Sequence, residues 1–267
     1  MRWTKIKNII LLLLVIVNLF LLALVGVRAW RTRENNRVAR EQMLQVLENN
    51  GISYLPSELP DTLGLTPRRL TPEPVGEAQV KLLVGKVTSV EVQGSRTVCE
   101  GERGTVTLSA DRELEVQFRP GTQPAADIPQ ILESLGVSLR ETQGIAQTDR
   151  EFTTWVQLLD GVPIPSETVR LESRDGWAET LTFRSLAGSA EAVTSAGEPI
   201  TALTAILRLL DALNKQGYVC SQITDLYAGY SLSGSGILTL TPAWFVEIDA
   251  APWRLMVDGY TGTVTTE

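Results

Sequence analysis

The sequence predicts an α+β protein: a single N-terminal transmembrane helix, then modules in which one helix lies on an antiparallel meander. Three observations predict it. Residues 9 to 27 carry no charge, and Asn18 is their only strongly polar side chain. Beyond them, stretches of helical spacing alternate with runs of β-branched residues bounded by Gly and Asp-Gly turns. Three of the helical stretches also end alike, on Leu-x-x-x-Gly followed by an apolar residue: Leu47 to Gly51-Ile52, Leu132 to Gly136-Val137, and Leu213 to Gly217-Tyr218.

At about 1.5 Å per helical residue, the apolar run spans roughly 28 Å, close to the ~30 Å of bilayer hydrocarbon. It is longer than a secretory signal core, and Gly26-Val27-Arg28 after it makes a poor cleavage site. The run therefore reads as an uncleaved anchor. Arg2, Lys5 and Lys7 precede it; Arg28, Arg31, Arg33, Arg37 and Arg40 follow it. That count alone would place the following chain in the cytoplasm, but long domains translocate regardless of flanking charge. The reading adopted is a single-pass membrane protein with its body outside the cytoplasm.

The remaining length is enough for one large domain or two to three small ones. Of 24 basic and 31 acidic residues, eight and one lie in residues 1 to 40, which leaves 16 against 30 beyond them, a charge of −14. Such a body is a poor nucleic-acid binder. The chain has no histidine, which removes the commonest general base, metal ligand and pH switch. Cys99 and Cys220 have no metal-ligand spacing, and they read either as a disulfide or as two buried thiols.

Taken in order, residues 1 to 8 form a polar tail and 9 to 27 the membrane helix. Residues 28 to 54 form a juxtamembrane segment, helical over 31 to 50 and closed by Gly51. Pro56, Pro60, Pro67, Pro72 and Pro74 make 56 to 74 a loop. It opens a strand-rich module over 55 to 121, with strands expected at Val80–Val92 and Val106–Phe118. The middle module, 122 to 187, starts with a helix over Ala126–Leu135, for which Asp127 is the candidate N-cap. Strands follow at Phe152–Leu159, Glu167–Ser173 and Trp177–Arg184. Gly161-Val-Pro-Ile164 and Arg174-Asp175-Gly176 turn between them, the second giving the strongest hairpin signal in the chain. Residues 187 to 198 read as a module boundary. The last module, 188 to 267, has a helix over Pro199–Gln216 with Ile200, Leu203, Ile206, Leu207, Leu210 and Leu213 as its apolar stripe. Its strands are Ile223–Leu232, Ile237–Ile248, Trp253–Val257 and Thr263–Thr265. The shared helix endings read either as a repeated helix-and-meander unit or as three instances of a common cap.

No catalytic constellation holds. No serine has a histidine or a Ser-x-x-Lys partner. The Asp-Gly pairs at Asp160, Asp175 and Asp258 are turns before they are paired carboxylates. No cofactor, metal or catalytic residue is expected, and the chain reads as a non-enzyme.

The tail carries a resemblance. Leu240-Thr-Pro-Ala-Trp244, then Asp258-Gly-Tyr-Thr261-Gly262, is similar to the end of a PepSY-type module, which closes with a strand through Pro-x-Trp and a hairpin ending in a Thr-Gly turn. The N-terminus, Met1-Arg-Trp3-Thr-Lys5-Ile-Lys7 running into Asn18-Leu-Phe20-Leu21, resembles the start of the YycI family, and Gly161-Val-Pro-Ile164 fits the middle module of that family. The resemblance implies an accessory regulator of a sensor histidine kinase controlling cell-wall metabolism, working beside a related YycH-like membrane protein through transmembrane contacts. Asn18, Phe20 and Leu21 are then the candidate contact residues in the membrane. Gly51, Gly136, Gly217, Trp244, Thr261 and Gly262 are the candidate structural motif. A second implied class is a tethered PepSY-like module that binds a ligand or restrains a peptidase. An anchored cell-wall hydrolase is set aside for want of a nucleophile motif.

Overall fold

The computed structural model describes residues 14, 18, 20, 38, 41–56, 60, 62–141, 145–147, 150–194, 197–249 and 254–266. They form a mixed α+β fold, mostly β, with few helices. Leu14, Asn18 and Phe20 are helical; Leu21 and the rest of the apolar run lie outside the described residues. Among the described residues no helix is long and apolar enough to cross a membrane.

The elements are α1 (41–49), β1 (Ser53–Tyr54), β2 (Arg68–Pro72), α2 (Glu77–Val84), β3 (Val87–Gln93), β4 (Arg96–Gly101), β5 (Gly104–Ser109) and β6 (Glu113–Phe118). Next come α3 (Ile128–Ser134), β7 (Ser138–Glu141), β8 (Ile145–Gln147), β9 (Arg150–Leu159), β10 (Val162–Arg174), β11 (Trp177–Arg184) and β12 (Gly188–Ala192). The chain closes with α4 (Ala202–Gln216), β13 (Gln222–Ser233), β14 (Leu238–Ile248), β15 (Leu255–Asp258) and β16 (Val264–Thr266).

Two sheets organise these elements. One runs β3-β4-β5-β6-β11-β10-β9-β7, with β8 also on β9. The other runs β1-β13-β14-β15-β16, and β2 joins it by pairing both β14 and β12. The antiparallel β2–β12 pair, Arg68↔Ala192 to Pro72↔Gly188, therefore brackets the whole first sheet like a neck. Each sheet has its own core. Val80, Leu83, Val84, Ile128 and Leu132 of α2 and α3 bury against Val106, Val116, Leu171 and Leu181. Met43 and Leu47 of α1 and Ala205, Ile206, Leu209 and Leu213 of α4 bury against Leu226, Trp244, Val246 and Val257. A smaller cluster around Leu70, Ile164, Leu186, Tyr230 and Leu240 lies where the sheets meet.

Several expectations are corrected. The strand expected from Val80 begins as a helix, α2, and only Val87–Gln93 is extended. Its β-branched composition is overridden by a local start signal: Gly76 N–H donates to Gln79 Oε1 at 2.8 Å, and Glu77 pairs with Lys81 one turn on at 2.8 Å. Val106–Phe118 is not one strand but β5 and β6, turned at Arg112 with a φ of 71°. The proline-rich 56–74 stretch contains β2, whose two prolines flank or end the paired residues and so remove no needed donor. The expected boundary at 187–198 contains its partner β12. Between β9 and β10 the turn is Asp160-Gly161, with φ of 51° and 81°, and Val162 is already in the strand. Asp127 stands at the start of α3 but its side chain caps nothing. The last helix begins at Ala202, capped by Thr201 Oγ1 accepting from Thr204 N–H, rather than at Pro199. Its buried stripe takes Leu209 in place of the exposed Leu207.

The helix-and-meander unit does recur, in a different set from the three glycine endings. Each of α2, α3 and α4 precedes a meander, β3–β6, β7–β11 and β13–β16 respectively. By contrast, α1 is followed by the two-residue β1, parallel to β13, and shares the core of α4.

Candidate functional site

The glycines at the three helix ends take one geometry. Gly51, Gly136 and Gly217 have φ of 71°, 78° and 72°. In each case the amide after the glycine reaches back to the leucine carbonyl: Ile52 to Leu47 and Val137 to Leu132 at 2.9 Å, Tyr218 to Leu213 at 3.0 Å. This is the Schellman closure, in which a left-handed residue satisfies two of the last free carbonyls. It directs the chain from α1 into β1 and from α4 towards β13, so both helices leave their sheet at one end. Asp249 ties that end together: Oδ1 accepts from the amides of Ser221 at 3.1 Å and Gln222 at 3.0 Å, while Oδ2 takes the Ser221 hydroxyl. These contacts hold the Asp249 carboxyl below its ordinary range.

The tail residues converge on the other end of α4. Trp244 is fully buried and its indole N–H donates to the Ile200 carbonyl at 3.1 Å. The Ile200 amide donates to the Gly259 carbonyl at 2.7 Å, and the Gly259 amide to the Pro242 carbonyl at 2.9 Å. Ile200 is thus gripped on both sides, which explains why the helix starts two residues later. Asp258 Oδ1 accepts from the Tyr260 amide at 3.0 Å and from the Thr261 amide at 2.7 Å and hydroxyl at 2.9 Å. Gly262, at a φ of 70°, then lies against the Arg208 side chain of α4. Pro242, Trp244, Thr261 and Gly262, scattered in the sequence, act as one clamp on the start of α4.

The joint between the sheets was not foreseen from the sequence. There β10 crosses β13, and Arg68 of β2 pairs with Asp160 in the β9–β10 turn. Arg140 of β7 reaches Asp225 at 3.6 Å and lies 4.9 Å over the Tyr227 ring, while Arg254 lies 6.0 Å from that ring and pairs with Glu247 at 3.2 Å. Tyr227 stacks on Phe245 with centroids 5.7 Å apart. Burial pushes the Tyr227 phenol up; Arg254 and Arg140 oppose that, and Glu247 and Asp225 add to it. The signal was present in part, since Asp225 and Tyr227 alternate with the core residues Leu226 and Ala228, but Arg140 and Arg254 carry no local mark.

Glu167 is a second residue that sequence reasoning missed. It lies where the β9–β10 register shifts between Ile164 and Thr168, with its side chain 5% exposed and Arg184 at 3.7 Å. Burial raises its carboxyl, against the pull of Arg184 and Arg112. Gln157 of β9 and Ser185, just after β11, are also buried, and the Gln157 amide donates to the Arg184 carbonyl at 2.9 Å.

In the apolar run, Asn18 Nδ2 donates to the Leu14 carbonyl one turn back at 2.9 Å, and Phe20 is exposed. Cys99 and Cys220 are free thiols, both raised by burial. Among the described residues no three His, Cys, Asp or Glu side chains gather as a metal site. An open cleft of about 510 Å³ lies between α2 and α3, lined by Arg103 and Asp127 among others, and Arg103 already donates to the Leu82 carbonyl at 2.6 Å and to Gln123 Oε1 at 2.9 Å. A groove of about 380 Å³ runs beside α1 over Leu44, Leu47, Ile52 and Tyr54.

No family model and no curated protein matches the chain. Solved structures do resemble it. An uncharacterized protein from Eubacterium rectale aligns with a TM-score of 0.50 at 10% identity, over 75% of this chain and 86% of its own. The Bacillus megaterium YpeB C-terminal domain aligns with a TM-score of 0.40 at 11% identity, over 72% of this chain and 97% of its own. The first of these likenesses speaks to fold alone.

Proposed function

We propose that the chain is a membrane-anchored, non-enzymatic accessory regulator of a sensor histidine kinase, with its body outside the cytoplasm and its membrane helix as the contact. One observation carries the reading: α1, the helix that follows the apolar run, is part of the core of the second sheet. Met43 and Leu47 are 0% and 1% exposed beneath α4, and the Schellman closure at Gly51 fixes the helix end. A mere tether would be expected to reach its domain through a loose linker. Here α1, which begins at residue 41, is packed into the body, and in this reading a load on the body is passed towards the membrane helix.

The sequence resemblances to the YycI start and the PepSY-type tail support the same reading, and supply the class of partner: the kinase and a YycH-like companion. Within the apolar run, the bond from Asn18 to its own helix uses one amide proton and leaves a second proton and the carbonyl oxygen for a neighbouring helix. Such interhelical bonds are worth about 0.6 to 2 kcal/mol.

The test is to exchange residues 9 to 27 for an unrelated transmembrane helix of equal length. Loss of kinase regulation, with the body still folded and on the membrane, is expected. Retained regulation would place the active surface on the body and overturn the reading. Asn18→Leu is the sharper variant, read as co-purification of the kinase with the full chain.

A further inference from the structure

Among the described residues, β3 forms an open edge of the nine-stranded sheet. Among those residues β3 pairs only with β4, and all of its residues after Val87 are exposed. Val90 and Val92 are 59% and 75% exposed. Natural sheet edges are blunted with lysine, proline or a covering element. β3 reads Val-Thr-Ser-Val-Glu-Val-Gln and has no Lys and no Pro. Its one irregularity, a register shift between Val87 and Ser89, lies at the far end from the turn.

Hairpin geometry fixes which groups face outward. The β3–β4 connection is the two-residue turn Gly94-Ser95, so the flanking pair Gln93↔Arg96 is the hydrogen-bonded one. Pairs then alternate. Glu91 directs its amide and carbonyl at β4, and Val90 and Val92 direct theirs at the open edge.

The two faces differ. Val90 stands opposite the buried Cys99, on the face that continues into the core beneath α2 and α3. On the other face, Glu91 shares a row with Val98, Thr107 and Glu115, and Glu100 stands opposite Ser89. Ser89 donates to Glu100 Oε2 and Gln93 to Glu91 Oε2, both at 3.1 Å, while Arg96 near the turn is the one cation on this stretch of the face. On the two strands at the edge, Glu91 and Glu100 outnumber it two to one.

From the free edge, the apolar face and the acidic face together, we infer that β3 is a strand-addition site for an extended partner segment that alternates apolar residues with lysine or arginine. The partner's backbone pairs with Val90 and Val92 in the manner of β-augmentation. Its apolar side chains extend the core over those valines, and its cations meet Glu91 on β3 and Glu100 on β4. This site is separate from the membrane contact, and stands or falls without it.

The probe is a blocked heptapeptide alternating lysine with valine, titrated against the full chain in detergent by fluorescence polarisation. Saturable binding is expected, at least tenfold weaker for the peptide that alternates glutamate with valine. Val90→Pro removes an outward amide that β4 does not use, and should abolish binding with the fold intact. If that variant fails to fold, Val92→Lys keeps the backbone and should weaken binding at least fivefold. Hydrogen exchange at Val90 and Val92 should slow on binding. Any of three results overturns the inference: no saturable binding, equal binding to the Val90→Pro or Val92→Lys chain, or an edge already closed by a second copy, seen as a dimer that Val90→Pro splits.

Discussion

Gly229 of β13 lies close against Pro163 of β10 where the two sheets meet: a Cβ at Gly229 would stand 2.8 Å from the Pro163 carbonyl oxygen and 2.9 Å from the Phe245 ring. Neither neighbour is a flexible side-chain end. β10 can cross β13 here because the position has no side chain. Gly229→Ala should therefore lever the sheets apart and destabilise the fold by about 1–3 kcal/mol, the usual range for overpacking. Urea unfolding of the full chain in detergent measures it, and an unchanged midpoint would show that the joint yields freely.

Arg140 is the charged counterpart of that contact. It links β7 to Asp225 and Tyr227 in the other sheet, but its side chain is half exposed, at 51%. Solvent screening discounts the ion pair, and the ring contact adds about 0.5–1 kcal/mol. Arg140→Ala should thus lower stability by no more than about 1 kcal/mol. Its clearer effect should be faster exchange of the β13 amides near Tyr227, since the joint loosens before the sheets unfold.

At Trp244 two effects separate. Trp244→Phe keeps most of the buried area but leaves the Ile200 carbonyl unpaired, at a cost of about 1–3 kcal/mol. Trp244→Ala also opens a cavity under α4, and about 3–5 kcal/mol is expected. Thermal unfolding should rank parent, Phe and Ala in that order. Equal losses for the two variants would mean that the indole bond to Ile200 contributes nothing.

These positions show what was legible in the sequence. Trp244, Thr261, Gly262 and the glycine caps were readable because their chemistry is local: a left-handed residue, an Asp-led turn, an aromatic in alternation. α2 was misread because eight residues rich in Val and Leu fit a strand as well as a helix, and the signals that decide it, Gly76 with Gln79 and Glu77 with Lys81, are polar. The joint was out of reach. Arg140 and Tyr227 become neighbours only through the crossing of β10 and β13, and β2 and β12 pair across the whole first sheet. Glu167 opens an expected strand, and its burial goes with a register shift between Ile164 and Thr168 that no local residue signals.

Glu167 gives a pH prediction whose sign follows from its burial. Its carboxyl is raised in the fold, by burial first, and Arg184 and Arg112 only partly offset this. The neutral acid is the form the fold prefers. The stability that this group contributes is full below the ordinary glutamate value and is lost as pH rises through the raised one. Glu167→Gln should be more stable than the parent at pH 7, and the difference should vanish near pH 4. A less stable variant at pH 7 would mean that Arg184 and Arg112 outweigh the burial.

Met43 and Leu47 bear directly on the regulator reading. Both are buried in the core that α1 shares with α4, so Met43→Ala or Leu47→Ala should each cost about 2–5 kcal/mol. More is at stake than stability. If the body moves the membrane helix, loosening α1 should break regulation even where the body stays folded and the transmembrane contacts are untouched. The paired measurement is kinase co-purification, expected to persist, against kinase output, expected to lose its dependence on the body. Gly51→Ala is the milder version. Nothing lies within 4 Å of a Cβ there, so its cost is conformational alone, about 1 kcal/mol at a φ of 71°. A variant chain that unfolds more easily yet regulates fully would separate α1 from the relay and leave the membrane helix acting by itself.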